Sequence, residues 1–259
     1  MRPVVSRKER IVIPEFWMCV GAGFVAQLID GALGMAYGVT ASSLLIAFGV
    51  PPAATSATVH AAECFTTGAS AISHHAFENI DGALFRRLLW PGIVGAVFGA
   101  YVLTSLPGEA LKPYVAAYLL VMGLIIVAKA FREFPPRSVT THLAPLGFAG
   151  ALLDTLGGGG WGPVVASTLI VRGNHVRTTV GTVNAVEFFV TVAASITFFL
   201  TIGFSNWQMI LALALGGLPA APLGAWACRH FKVKKMMVGV GVLVIALSLR
   251  TLLKTFGLF

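Results

Sequence analysis

Charge is what this sequence lacks most. Only 11% of its residues are charged, ten of them acidic, whereas a soluble domain carries roughly 25%. That scarcity excludes an ordinary water-soluble surface. With 57% hydrophobic residues and a mean hydropathy of +0.86, the exterior is built for lipid. Cysteine is scarce too: Cys19, Cys64 and Cys228 are odd in number and lack metal-like spacing, so they read as reduced packing residues. No metal site and no cofactor is expected. Walker A, HExxH and GxSxG motifs are absent, which disfavours ATP-driven transport within this chain. The basic start leads into an apolar stretch too long for a signal-peptide core, with no small-residue cleavage site, so no cleavable signal is expected. Glycine, by contrast, is plentiful, but its 29 copies follow no G-X-Y period. Collagen is excluded, and close helix approach or helix interruption is implied instead. The net charge of +8 would suggest nucleic acid in a soluble protein. Here the basic residues cluster in short loops between apolar runs and read as membrane orientation, with no nucleic-acid partner.

What is present is a duplication. QLIDGALGMAYGVTASSLLIAFG from Gln27 recurs 124 residues later as ALLDTLGGGGWGPVVASTLIVRG from Ala151. Without a gap, Asp30 falls on Asp154, Gly34 on Gly158, Tyr37 on Trp161, Gly38 on Gly162 and Gly49 on Gly173. The register continues through Thr58-Val59 on Thr182-Val183 and Glu63 on Glu187. The sequence therefore predicts one transmembrane transport domain over 1–259, with repeats at approximately 16–131 and 143–257. A duplicated membrane unit with an interrupted helix in each half points to a transporter's substrate site.

The fold class expected is an all-α polytopic membrane protein with two homologous, inverted repeats. Apolar segments lie near Ile11–Phe48, Ala53–Ser73, Leu88–Ser105, Pro113–Ala130, Leu143–Val171, Val176–Ile202, Gln208–Cys228 and Met236–Leu253. A spanning helix needs about 20 apolar residues, so six read as single crossings. The first and fifth are longer and contain the glycine runs, so each is a discontinuous helix or a re-entrant hairpin. Seven to eight membrane segments result. Lys and Arg concentrate in cytoplasmic loops. That rule favours a first segment that crosses once on balance and a second that returns to its own side. The N-terminus is then cytoplasmic and the C-terminus external, with only Lys112, Arg250 and Lys254 outside.

A run such as Gly157-Gly158-Gly159-Gly160 cannot continue a helix cheaply, since each Gly costs about 1 kcal/mol relative to Ala. The freed backbone groups must line protein or a water-filled cavity. A helix restarting at Tyr37 or Trp161 would aim its N–H groups and positive dipole end there, making an anion site. Gly95-x-x-x-Gly99 reads only as a tight helix crossing.

Ionisable residues inside a membrane mark pathways by default, and Asp30, Glu63, Asp154 and Glu187 stand out. His60/Glu63/Thr67 and Asn184/Glu187/Thr191 each follow i, i+3, i+7 spacing and so share an inward helix face. Desolvation penalises a charged carboxyl, so Glu63 and Glu187 are either proton carriers or partners of the broken backbone. Asp30 and Asp154 precede the breaks, where capping of unpaired N–H groups is the favoured role. Tyr37 and Trp161, beside the breaks, are candidates for lining the site. Trp17, Trp90 and Trp207 read as interfacial belt residues, and His74-His75 as a polar rim at headgroup level.

These residues carry a resemblance. GFVAQLIDGALGMAYGVTASSLLIAFGVPPAATSATVHAAECFTTGAS, with HHAFENIDGALFRRLLWPGIVGAVFGAYVL, GFAGALLDTLGGGGWGPVVASTLIVRG and GTVNAVEFFVTVAASITFF, resembles the sulfite exporter TauE/SafE family from Cys19 to Leu253. The resemblance implies a multi-pass exporter of sulfite or organosulfonates in a bacterial plasma (inner) membrane. The combined expectation is a secondary transporter, not an enzyme, of a small anionic substrate such as sulfite or a sulfonate, with protons as a possible coupling partner. Its substrate-binding set is Gly34, Tyr37, Gly38, His60, Thr67, Gly157, Gly158, Gly159, Gly160, Trp161, Asn184 and Thr191. Two alternatives stand beside it. One is a passive anion channel. The other is an intramembrane hydrolase using Asp30 and Asp154, against which count their identical repeat positions and the missing GxGD context.

Overall fold

A computed structural model describes residues 15–33, 35–131, 141–203, 207–230 and 233–258, and every element among them is helical. The first half runs α1 (Phe16–Leu33), α2 (Tyr37–Ala47), α3 (Pro52–Ala76), α4 (Gly82–Ser105) and α5 (Gly108–Lys129). The second runs α6 (Leu143–Gly157), a π-turn at Gly162–Ala166 continuing into α7 (Ser167–Val171), α8 (Val176–Ile202), α9 (Trp207–His230) and α10 (Val233–Thr255). Helices α3, α4, α5, α8, α9 and α10 hold 22–27 residues each. At 1.5 Å per residue that is about 33–40 Å, the thickness of a bilayer core or more. Stretches of α4, α5, α8 and α10 are both long and apolar enough to cross.

Local chemistry sets the helix ends. The Asp81 carboxylate accepts from the amides of Ala83 and Leu84 at 2.8 and 3.1 Å and so caps α4. Pro52 opens α3 where no N–H is needed. α2 and α7 end alike. The amides of Phe48, Gly49 and Val50 donate to the carbonyls of Leu44, Ile46 and Leu45, and those of Arg172, Gly173 and Asn174 donate to Thr168, Ile170 and Leu169. Gly49 and Gly173 turn the chain at φ 97° and 106°, where a Cβ is disfavoured.

The dominant packing pairs are α1 with α9, α6 with α4, α5 with α10 and α3 with α8. Small residues set their spacing, as membrane helix contacts require. A Cβ on Gly95 would lie 2.3 Å from the Phe148 carbonyl oxygen, and one on Gly99 would lie 2.0 Å from Thr155 Oγ1. The tight-crossing reading of this Gly-x-x-x-Gly pair describes what is seen. On the other side, a Cβ on Gly216 would lie 2.0 Å from the Val20 carbonyl oxygen.

Contacts give the helix directions. α3 and α8 are antiparallel, with Cys64 beside Thr191 and Ser195, and Ser70 beside Asn184. α5 and α10 are antiparallel as well, Gly123 lying against Gly241 and Ile245. α6 runs parallel to α4, because Gly147 meets Leu88 and Thr155 meets Gly99. Call the end where α3 begins the upper face. α6 and α7 then enter from the lower face and return to it. α1 enters from the upper face beside the start of α9, since Gly23 meets Leu213 and Gln27 meets Gly217.

The first broken segment is therefore a hairpin too, which corrects the expectation that it crosses once. Its packing explains why. Cys19, Ala22 and Ala26 of α1 share a core with Ala41 and Leu45 of α2 and with Met209, Ala212 and Leu213 of α9. Leu33 and Tyr37 are only four residues apart, too few to carry the chain across. The basic residues Arg2, Arg7, Lys8 and Arg10, which favoured a crossing, lie outside the described residues, as does Gly34.

The surface suits lipid. Val94, Phe98 and Tyr101 on α4, Val121 and Leu124 on α5, and Leu211, Leu215 and Leu218 on α9 are exposed, an apolar belt far larger than a soluble monomer tolerates. Trp17, Trp90 and Trp207 are exposed as well.

Candidate substrate site

Each helix break is closed by an aspartate one turn before it. Asp30 Oδ1 accepts from the amides of Ala36 and Tyr37 at 2.8 and 3.2 Å. Asp154 Oδ1 accepts from the amide of Trp161 at 2.9 Å. The same side chain in both repeats thus holds the first N–H of the restarting helix, the capping role preferred from sequence. The restart amides face carboxylates of their own hairpins. Gly158 ends α6 at φ 70°, and all four glycines from Gly157 to Gly160 are buried.

The two hairpins meet tip to tip. A Cβ on Gly38 would lie 2.8 Å from Gly159 Cα, 3.3 Å from the Gly158 carbonyl oxygen and 3.0 Å from Glu63 Oε1. Only glycine allows backbone to approach backbone this closely. The freed carbonyls of the second tip find partners in the first half of the chain. Ser56 Oγ donates to the Thr155 carbonyl at 2.6 Å, Tyr118 donates its hydroxyl proton to the Gly159 carbonyl at 2.9 Å, and Ser42 Oγ donates to the Gly158 carbonyl. Gly157 and Gly160 leave room for Tyr118, whose ring a Cβ at Gly157 would strike at 2.0 Å and whose hydroxyl oxygen a Cβ at Gly160 would strike at 1.9 Å. Below the tip, Lys129 Nζ donates to the Pro163 carbonyl at 2.8 Å and also to Ser167 Oγ. The Ser167 hydroxyl donates to the same Pro163 carbonyl.

Ser42, Ser56, Tyr118 and Lys129 were not singled out from sequence. The available signal was asymmetry: Ala166, Val180, Val242 and Leu253 stand at the matching positions of the second repeat. Polar residues found in one repeat only, and facing the more glycine-rich break, were the clue.

His60 is fully buried and joins the halves. Its Nδ1 lies 2.8 Å from the Ser56 carbonyl oxygen and its Nε2 3.0 Å from Asp154 Oδ2. A carbonyl can only accept, so Nδ1 carries a proton. The Nε2–Oδ2 contact then holds one further proton, on either imidazole or carboxyl. The pair is neutral overall in both cases, which is what a dry interior tolerates.

Glu63 is buried beside the Gly38 tip, and its Oε2 has no hydrogen-bond partner among the described residues. Its carboxyl interacts electrostatically with Asp154, Glu187 and Asp30, and that of Glu187 with Asp154 and Asp30. The four intramembrane acids form one electrostatic centre. The remaining sequence candidates lie differently. Thr67 and Thr191 donate back to the carbonyls of Glu63 and Phe188 at 2.6 and 2.9 Å, which leaves their oxygens only accepting. Asn184 Nδ2 donates to Ser70 Oγ at 3.1 Å. Trp161 is fully buried in a core with Leu88, Val165 and Val190, its Nε1 donating to the Val183 carbonyl at 3.1 Å. Tyr37 is buried at the first tip with its hydroxyl unpartnered among the described residues. Among those residues no group of three or more His, Cys, Asp or Glu side chains could hold a metal ion.

Comparison with known proteins agrees with this architecture. The sequence profile described as "Sulfite exporter TauE/SafE" matches residues 19–251. "Probable membrane transporter protein YtnM" of Bacillus subtilis (strain 168) is 42% identical over 89% of this chain and 80% of its own length. "Probable membrane transporter protein YdhB" of the same organism is 25% identical over 83% of this chain and 88% of its own. No solved structure matches the chain significantly.

Proposed function

The chain belongs to the sulfite exporter TauE/SafE family, and from that premise we propose that it is a multi-pass secondary transporter exporting a small oxyanion, sulfite or an organosulfonate, coupled to protons. The observation that carries this reading is the meeting of two broken hairpins, Gly38 against Gly158-Gly159, amid Asp30, Glu63, Asp154, Glu187 and His60. Non-helical backbone at membrane depth is tolerated only where it is enclosed by protein or lines a pathway. Two inverted repeats are supported by the recurring helix-end hydrogen bonds and by a packing scheme that exchanges α1–α9 with α6–α4. Arg86, Arg87, Lys129, Arg172, Lys234 and Lys235 gather toward the lower face, which supports a cytoplasmic lower face in a bacterial plasma membrane.

Chemistry follows from competition for the restart amides. Asp30 and Asp154 occupy them, so an arriving oxyanion must displace a carboxylate. Two like charges 4 Å apart repel by about 4 kcal/mol at an effective dielectric of 20. Protonation within the centre removes that repulsion, frees the Tyr37 and Trp161 amides for the substrate and ties anion movement to proton movement. Parting of the tips then opens the site to one face at a time. Reconstituted protein should carry labelled sulfite or a short sulfonate saturably, with competition inside a panel of oxyanions and carboxylates. Linear, unsaturable flux with large unitary currents would instead identify a channel.

A further inference from the structure

Three cations at the upper face have no part in that scheme. Lys112 lies near the start of α5, and Arg250 and Lys254 lie in the last turns of α10. They are all the lysines and arginines that the described residues carry at this face, and they line one cavity of about 240 Å³. Ile46, Ala47 and Gly49, at the end of α2, and Thr251 and Thr255 of α10 complete its wall, and no acidic side chain lines it among the described residues. Anchoring cations snorkel outward and apart. These converge on one concavity, where their mutual repulsion falls when an anion enters.

A second observation lies just inward. Ser248 on α10 and Ser43, Thr40 and Tyr37 on α2 are buried, and their hydroxyls have no hydrogen-bond partner among the described residues. Ser43 is one turn inward from Ala47, and Ser248 one turn inward from Thr251. Thr40 and Tyr37 continue along α2 to the hairpin tip at i−3 steps. Buried polar groups in folded proteins are nearly always paired. A row of unpaired hydroxyls on the two helices that wall a basic cavity provides neutral donors for an ion that has shed its water.

We propose that Lys112, Arg250 and Lys254 form an external binding station for a small oxyanion of sulfite, sulfate or phosphate chemistry. The hydroxyls of Ser43, Ser248, Thr40 and Tyr37 continue the path toward the hairpin tip. The station stands on its own geometry; its external side and the path rest on the transport reading above. The same chemistry is offered by a free anion and by an anionic lipid headgroup.

The test uses purified full-length protein, equilibrium binding of labelled sulfate, and native mass spectrometry with phosphatidylglycerol. The variants are the triple Lys112→Gln/Arg250→Gln/Lys254→Gln and the charge-retaining Lys112→Arg/Lys254→Arg. The triple variant should bind sulfate on the order of tenfold more weakly, with the difference vanishing at high salt, while the charge-retaining variant binds as wild type does. Loss of the lipid adduct without change in sulfate binding assigns the station to lipid phosphate. Thermal unfolding is the check that the triple variant is folded. A folded triple variant unchanged in both arms overturns the station. For the path, Ser43→Ala should lower the maximal flux, whereas the triple variant raises the half-saturating concentration for substrate supplied from the upper face. Wild-type flux in Ser43→Ala overturns the path alone. Absence of any flux from wild type rejects the transport reading and leaves the binding result standing.

Discussion

Gly38→Ala tests the tip-to-tip contact with one methyl group. The residue is the second of α2 and its φ is not positive, so alanine adds no backbone strain and gains less than the roughly 1 kcal/mol of propensity that a helix interior would give. Against that, its Cβ would fall 2.8 Å from Gly159 Cα and 3.0 Å from Glu63 Oε1. The first neighbour is backbone and cannot swing away. Overpacking of a tight interior costs roughly 1–3 kcal/mol, and because it acts only while the tips touch, it shifts population away from that conformation. At 2 kcal/mol the shift is about thirtyfold. Every transport cycle must pass through contact to exchange one open face for the other, so turnover should fall by a similar factor. Global stability should change by about 2 kcal/mol or less, since propensity offsets part of the clash. Gly21→Ala is the control, because its Cβ would meet nothing within 4 Å. Flux in proteoliposomes, paired with thermal unfolding in detergent, reads both quantities. If Gly38→Ala carries substrate at the wild-type rate, the contact is not part of the cycle.

Tyr118→Phe leaves the buried Gly159 carbonyl without its donor and should cost about 1–3 kcal/mol of stability, read as a lowered unfolding midpoint; an unchanged midpoint would show the carbonyl satisfied by another route. Glu63→Gln with Glu187→Gln mimics the protonated centre and should retain substrate binding while losing the pH dependence of flux; a double variant that still follows an imposed pH gradient makes the glutamates structural. In a background free of Cys19, Cys64 and Cys228, Leu106→Cys should react with an impermeant thiol reagent on intact cells and Lys234→Cys should not; the reverse pattern inverts the proposed sidedness.

Sequence reading located the breaks because glycine runs and repeat register are local properties. The aspartate caps were legible for the same reason, since Asp30 and Asp154 sit six or seven residues from the amides they hold. The Gly95/Gly99 crossing was legible from its i, i+4 spacing. What joins the two halves was not. His60 meets Asp154 at a separation of 94 residues, Ser56 meets Thr155 at 99 and Ser42 meets Gly158 at 116. No spacing rule reaches that far, and hydroxyls in small-residue segments resemble ordinary membrane packing. Trp161 looked like a lining residue because it borders the break, but its size fills the core that Gly92 and Gly150 leave open. The entry side of α1 was misjudged because loop charges argue about sides, whereas a hairpin is decided by whether small residues let α1 lie against α2 and α9.

The central claim is that substrate passes where the two hairpin tips meet. Gradient-driven flux of labelled sulfite through wild type and Gly158→Leu, in matched proteoliposomes, tests it most directly. A side chain at Gly158 would meet Ser42 Oγ at 2.4 Å from its first carbon and is opposed by φ 70°, so it fills the junction and distorts the tip. The account predicts saturable, proton-driven flux for wild type and none for Gly158→Leu that remains folded and inserted. Wild-type flux through a well-folded Gly158→Leu variant would place the pathway elsewhere in the protein.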